Sequence, residues 1–99
     1  MFQGSDSLTI LDLNNFNTSK AENMRGMFKK CEYLKDIKIY LWNTENIKDM
    51  SSMFAYCHAL TELDLSNFNT RSVTNMTSMF NECKILTSLN IEKFDTRKV

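Results

Sequence analysis

The chain has 99 residues, with 12 basic and 12 acidic side chains and a formal net charge of zero. This balance excludes the long-range positive field that attracts nucleic acid or anionic lipid. An apolar fraction of 42% suffices for a core, and no apolar run approaches the roughly 20 residues of a membrane span.

A fixed sequence period organises the chain. The pair Met-Phe occurs at residues 1–2, 27–28, 53–54 and 79–80, which gives a period of 26 residues without insertion or deletion. Such a period is the signature of repeat proteins. We therefore expect a single domain, residues 1–99, built from the repeats 1–26, 27–52 and 53–78 and a shorter repeat, 79–99.

Equivalent positions of the repeats carry similar residues, and each such set is called a column here. One column holds Leu8, Leu34, Leu60 and Leu86, and an aromatic column holds Phe16, Trp42, Phe68 and Phe94. Side chains that are apolar in every repeat are expected in the core. The predicted core comprises Leu34, Ile37, Ile39, Trp42, Met53, Phe54, Leu60, Leu63, Leu65, Phe68, Met79 and Phe80.

Each repeat is expected to begin with a short strand. In the third repeat, Leu63-Asp64-Leu65 alternates apolar and polar residues, which is typical of a strand with one buried face. The link 66–69 then turns the chain, with Phe68 expected to fill the corner. Four strands are predicted in this way, one for each repeat.

The second half of each repeat is expected to be helical. Val73, Met76, Met79 and Phe80 are spaced i, i+3, i+6 and i+7, as on one stripe of a helix. Either Thr70 or Asn75 is expected to cap its start. The pattern predicts three full helices, with residues 1–2 as the end of another.

One repeat cannot bury its apolar face alone, so the repeats are expected to stack. The predicted fold is an α/β solenoid: a right-handed coil of about four repeats, with short parallel strands on one face and short helices on the other.

The repeat from Cys57 to Phe80 resembles that of BspA-like leucine-rich repeat surface proteins. The resemblance covers the whole chain and is most specific in Met76-x-x-Met79-Phe80-x-x-Cys83. It implies a leucine-rich repeat solenoid from a microbial lipoprotein or secreted protein that acts in adhesion by binding a host surface or matrix protein. A cell-surface or secreted location is implied by this resemblance alone, because the chain shows no signal peptide and no lipidation signal.

Three cysteines, Cys31, Cys57 and Cys83, form a further column. They lack the close pairing of zinc ligands. The spacing of neighbouring repeats lies within the Cα–Cα range of a disulfide. However, side chains in one column point the same way and do not converge, which disfavours a bond between them. We expect buried free thiols, no metal and no cofactor.

The residues between the leucines of each strand are expected to form an exposed sheet face. One interpretation is a solvated surface whose charges of opposite sign tolerate each other. The other is a protein-binding patch marked by Tyr40, since tyrosine is enriched at interfaces. The candidate binding residues are Asp12, Lys35, Asp36, Lys38, Tyr40, Glu62, Asp64, Ser66, Asn90 and Glu92.

We expect a protein-binding module rather than an enzyme. His58 has no partner set at a catalytic spacing, and the neighbouring Asp36 and Glu62 lie on an exposed face without a cleft. The alternative is a self-associating structural scaffold without an external ligand. Neither end of the repeat array carries a polar cap, so either neighbouring repeats are missing or the ends meet another copy.

Overall fold

Four short strands occupy the same place in successive repeats. A computed structural model describes residues 9–91 and 93–99. Met1, Phe2 and Leu8, which entered the expectations above, lie outside these residues, as does Glu92. The strands are β1 (Ile10–Asp12), β2 (Asp36–Lys38), β3 (Glu62–Asp64) and β4 (Ser88–Asn90).

The strands form two parallel pairs. In the first, Leu11 of β1 lies opposite Ile37 of β2, and in the second, Leu63 of β3 lies opposite Leu89 of β4. Each partner is the equivalent residue of the next repeat, so the period of the sequence sets the register. The described residues contain no ladder between β2 and β3, and the expected continuous sheet face is therefore replaced by two two-stranded sheets.

The prediction of helices is wrong: residues 9–91 and 93–99 contain none. The segment predicted as a helix is a succession of turns whose backbone bonds join one repeat to the next. Alternate N–H groups of this segment donate to carbonyls of the following repeat at 2.8–2.9 Å: Met50 to Asn75, Ser52 to Thr77, Phe54 to Met79 and Tyr56 to Asn81. The α/β solenoid is therefore wrong as a fold class, and the chain is a small β-type domain.

Left-handed backbone conformations explain why no helix forms. Ser52 and Ser78 both have φ of 56°, and Tyr56 has φ of 62°. Each such residue interrupts a right-handed helix. Asp49 and Asn75 reinforce the turns, because each side chain accepts a hydrogen bond from the backbone N–H two residues later.

Neither candidate helix cap acts as one. The Asn75 Oδ1 accepts from the Thr77 N–H at 3.0 Å, within a turn. Thr70 instead links two repeats: its Oγ1 donates to the Asp95 carbonyl at 3.1 Å and accepts from the Asp95 N–H at 2.7 Å.

The apolar columns nevertheless form the core. Ile47, Met50, Met53 and Phe54 of the second and third repeats are all fully buried. The Phe54 ring stacks between two neighbours, with centroids 5.4 Å from that of Phe28 and 6.0 Å from that of Phe80. Burial decreases away from the middle of the stack, and Phe80 and Leu89 are partly exposed.

The corner of the second repeat is fixed by its tryptophan. Trp42 is buried, and its indole N–H donates to the Leu13 carbonyl of the preceding repeat at 2.8 Å. Phenylalanine, which occupies this column in the other repeats, has no such donor. The corner therefore contributes both apolar volume and a hydrogen bond between repeats.

Candidate protein-binding surface

A shallow groove of about 300 Å³ lies over β2, β3 and β4 on the sheet face. It crosses the place where β2 and β3 are not paired. The lining combines one tyrosine with acidic and small polar side chains, over two apolar residues from the strand centres. It consists of Asp36, Ile37, Tyr40, Glu62, Leu63, Asp64, Ser88 and Asn90.

Strand alternation positions these side chains. Ile37 and Leu63, at the centres of β2 and β3, are buried, whereas Glu62 and Asp64 on either side of Leu63 are exposed. Successive strand residues point to opposite faces. The short strands thus direct the acidic side chains of neighbouring repeats toward one surface.

The turn that carries Tyr40 is held from both sides. The Leu41 N–H donates to Asn14 Oδ1 at 3.1 Å, and the Asn67 side-chain amide donates to the Tyr40 carbonyl. Both bonds connect successive repeats, and each joins residues 27 positions apart. Tyr40, which is 40% exposed, therefore stands on a backbone that is already ordered before any ligand binds.

The groove carries negative charge. The Ser66 hydroxyl and backbone N–H hydrogen-bond to Asp64 and lower the pKa of its carboxyl below the usual value, so Asp64 is ionised at neutral pH. The ion pairs of the described chain lie elsewhere: Arg71 with Glu45, Lys84 with Glu82 and Arg97 with Asp95. No acidic side chain of the groove is neutralised by one of these pairs.

The structure brings together half of the predicted candidate residues. Asp36, Tyr40, Glu62, Asp64 and Asn90 line the groove. The others do not: Ser66 acts through its hydrogen bond to Asp64, Lys38 lies opposite Asp12 in the β1–β2 pair, Lys35 is exposed before β2, and Glu92 lies outside the described residues.

Three lining residues were missing from the candidate set. Ile37 and Leu63 were assigned to the core, where their side chains are buried, and they line the groove from the centres of their strands. Ser88 belongs to the outward column of Asp36 and Glu62, and that position in the repeat was the signal that could have identified it.

The cysteine column lies away from the groove. All three cysteines are reduced, with Cys31 and Cys57 buried and Cys83 half-buried, which is more exposed than expected. The Cys57 S–H donates to the Phe28 carbonyl at 3.2 Å, and that of Cys83 donates to the Phe54 carbonyl at 3.1 Å. Burial raises the pKa of Cys57 to about 12, helped by the neighbouring Cys83 and Cys31.

His58, the one histidine of the chain, lies outside the groove. His58 meets the Tyr56 ring edge-on, with centroids 6.2 Å apart. The part of the chain that the structure describes contains no group of three His, Cys, Asp or Glu side chains that could hold a metal ion. No helix among these residues has the length and apolar character needed to cross a membrane.

A family model matches the whole sequence. Its profile, described as "Mycoplasma protein of unknown function, DUF285", matches residues 1–99, and the chain belongs to this family. No curated protein and no solved structure matched the chain.

Proposed function

We propose that the chain is a protein-binding repeat module whose ligand inserts a basic segment into the groove over β2, β3 and β4. The observation that carries this proposal is the position of Tyr40 on a fixed turn beside three acidic side chains, Asp36, Glu62 and Asp64. The proposal assigns the chain a binding role and no catalytic role.

The chemistry of the groove specifies the kind of ligand. A lysine or arginine side chain would pair with the acidic groups, and its aliphatic stem would lie against the exposed ring of Tyr40. Cation–π attraction to the tyrosine face adds to this. Because the groove is shallow and open, a protruding segment of a protein fits it better than an enclosed small molecule.

We further propose a microbial cell-surface adhesion protein as the setting, with a host surface or matrix protein as ligand. The support for this finer assignment is the resemblance of the Met76–Cys83 segment to BspA-like repeats.

Selection from a displayed random-peptide library tests the groove. Peptides selected on the wild-type chain are expected to be enriched in lysine and arginine. Tyr40→Ser should weaken their binding by about tenfold or more, since tyrosines that a ligand covers are frequent hot spots of binding energy. Tyr33→Ser is the matched control, because Tyr33 is 56% exposed and lies outside the groove.

A second variant in the same experiment tests the contribution of the acidic side chains to binding. Glu62→Gln should weaken the same peptides and reduce the sensitivity of binding to added salt, because it removes one ionic contact. Peptides without basic residues, or equal losses from Tyr40→Ser and Tyr33→Ser, would overturn the proposed site.

A further inference from the structure

Two opposite edges of the repeat stack expose side chains that the interior buries. In the aromatic column, Phe16 is 48% exposed, whereas Trp42 and Phe68 are 3% and 2% exposed. In the column after the strands, Ile91 is 38% exposed and Ile39 only 1%. We call the side of β1 that bears Phe16 the β1 edge, and the side of β4 that bears Ile91 the β4 edge.

The β4 edge carries an apolar depression of about 560 Å³. Its apolar lining consists of Met76, Met79, Phe80, Ile91 and Phe94. Inside the stack, the following repeat covers the same columns: Met50, Met53 and Phe54 are fully buried. The depression is therefore lined by the same residue types that form the repeat–repeat interfaces inside this chain.

The two edges also match in backbone geometry. Within the chain, the Leu13 N–H donates to the Lys38 carbonyl at 3.0 Å, and the Lys35 N–H donates to the Thr9 carbonyl at 2.8 Å. The second pair repeats this arrangement, with Leu65 donating to Asn90. In the described residues β1 pairs with β2 and β4 with β3, and no ladder occupies the outer edge of β1 or of β4.

We propose that the β4 edge of one molecule binds the β1 edge of a second copy of the chain, continuing the stack in register. Ser88–Asn90 then pairs in parallel with Ile10–Asp12 of the other copy. By the geometry of the two existing pairs, the Ile91 N–H donates to the Asp12 carbonyl and the Thr9 N–H donates to the Thr87 carbonyl.

The paired surfaces are complementary. Phe94 meets Phe16, as Phe68 follows Trp42 inside the stack, and Leu89 meets Leu11. Within the paired strands no like charges are opposed, because Ser88 lies opposite Ile10 and Asn90 opposite Asp12. The two edges differ, so the contact is heterologous. Each added copy leaves its own β4 edge or β1 edge unoccupied, and further copies can therefore add without limit.

Sedimentation velocity across a concentration series tests this proposal on the purified chain. Wild type should form dimers, trimers and longer species as concentration rises. Ile91→Lys should remain monomeric at about 1 mM protein. Ile85→Lys is the matched control, because Ile85 is 48% exposed and does not line the depression, and it should associate as wild type does.

Mixing two blocked variants tests the head-to-tail geometry. Ile91→Lys keeps an intact β1 edge, and Phe16→Lys keeps an intact β4 edge. Each alone should stay monomeric, whereas an equimolar mixture should form dimers and no longer species. Circular dichroism and thermal melts check that both variants fold.

Amide hydrogen exchange tests the proposed strand pairing on the wild-type chain alone. The Thr9 and Ile91 amides should exchange fast in dilute solution and slowly at high concentration. A strictly monomeric chain, a closed dimer or concentration-independent exchange would overturn the proposal. Tyr40→Ser should assemble as wild type does, which separates this test from that of the sheet-face groove.

Discussion

At the scale of single residues, the column of thiols shows how burial sets chemistry. Cys57 is fully buried and its S–H donates to a backbone carbonyl. The thiolate is the reactive form of cysteine. Because its pKa is raised to about 12, Cys57 should react slowly with thiol reagents in the folded chain.

Because the pKa of Cys57 is raised, the free energy of unfolding depends on pH in the alkaline range. In the unfolded chain the Cys57 thiol loses its proton near pH 9.0, whereas the folded chain retains it up to about pH 12. The stabilisation is therefore complete below about pH 9 and is lost as pH rises. Between about pH 9 and 11, this group should lower the free energy of unfolding by about 1.4 kcal/mol per pH unit.

Urea melts at a series of pH values measure this slope. Cys57→Ala is the control, since it retains every other titrating group and should show a shallower decline than the wild type. Parallel slopes for the two proteins would contradict the assigned pKa.

Single residues also show how far the sequence predicts the candidate site. The departure of Tyr40 from the Asn or Ser of its column, together with the acidic outward positions, identified much of the groove before the structure. The bonds from Asn14 and Asn67 that hold the Tyr40 turn were not predictable, because they depend on how closely three repeats approach in space.

At the scale of elements, the sequence period led to a wrong assignment in the second half of each repeat, which was predicted to be a helix and is a succession of turns. The spacing of Ile47, Met50, Met53 and Phe54 correctly marked buried positions, but a helix and a ladder of turns can present the same stripe. Short helices are costly to nucleate. Backbone bonds to the next repeat, together with turns at Asn and Asp, outweigh the helical alternative here.

Glycine substitutions test the left-handed turns. Ser78 is exposed with φ of 56°, a conformation that costs a residue with a Cβ about 1–2 kcal/mol. Ser78→Gly should therefore raise the free energy of unfolding by several tenths to about 1 kcal/mol, after the greater entropy of unfolded glycine is subtracted.

Ser72→Gly is the matched control for this substitution. Ser72 is not among the residues with positive φ, so glycine relieves no strain there and should lower stability by about 0.5–1 kcal/mol. Urea unfolding of both variants gives the comparison, and a stabilising Ser72→Gly with a destabilising Ser78→Gly would contradict the turn geometry.

At the scale of the whole molecule, stacking makes stability depend on position. The sequence period correctly indicated which residues lie opposite each other, as in the pairing of Leu11 with Ile37. The missing pairing between β2 and β3 was not predictable from the sequence. Both strands have an apolar residue, Ile37 or Leu63, between two polar ones, and this pattern gives no sign that they would remain unpaired with each other.

Truncation of equivalent leucines measures this dependence on position. Leu63 is 3% exposed, whereas Leu89 is only partly buried. Leu63→Ala should cost about 2–5 kcal/mol, because it removes apolar contacts and leaves a cavity. Leu89→Ala should cost clearly less, because a site with solvent access leaves a smaller void. Equal losses in urea melts would show that the repeats do not differ in burial.

The hydrogen bonds that join neighbouring repeats also constrain how the gene can change. Deleting or inserting one codon within a repeat would shift every later column against its neighbour, exposing apolar side chains and breaking bonds such as that from Phe54 to Met79. Duplication or loss of a whole repeat preserves all of these matches. Recombination between homologous segments is therefore the kind of genetic event that this architecture tolerates, and we expect lineages to vary in length by complete units.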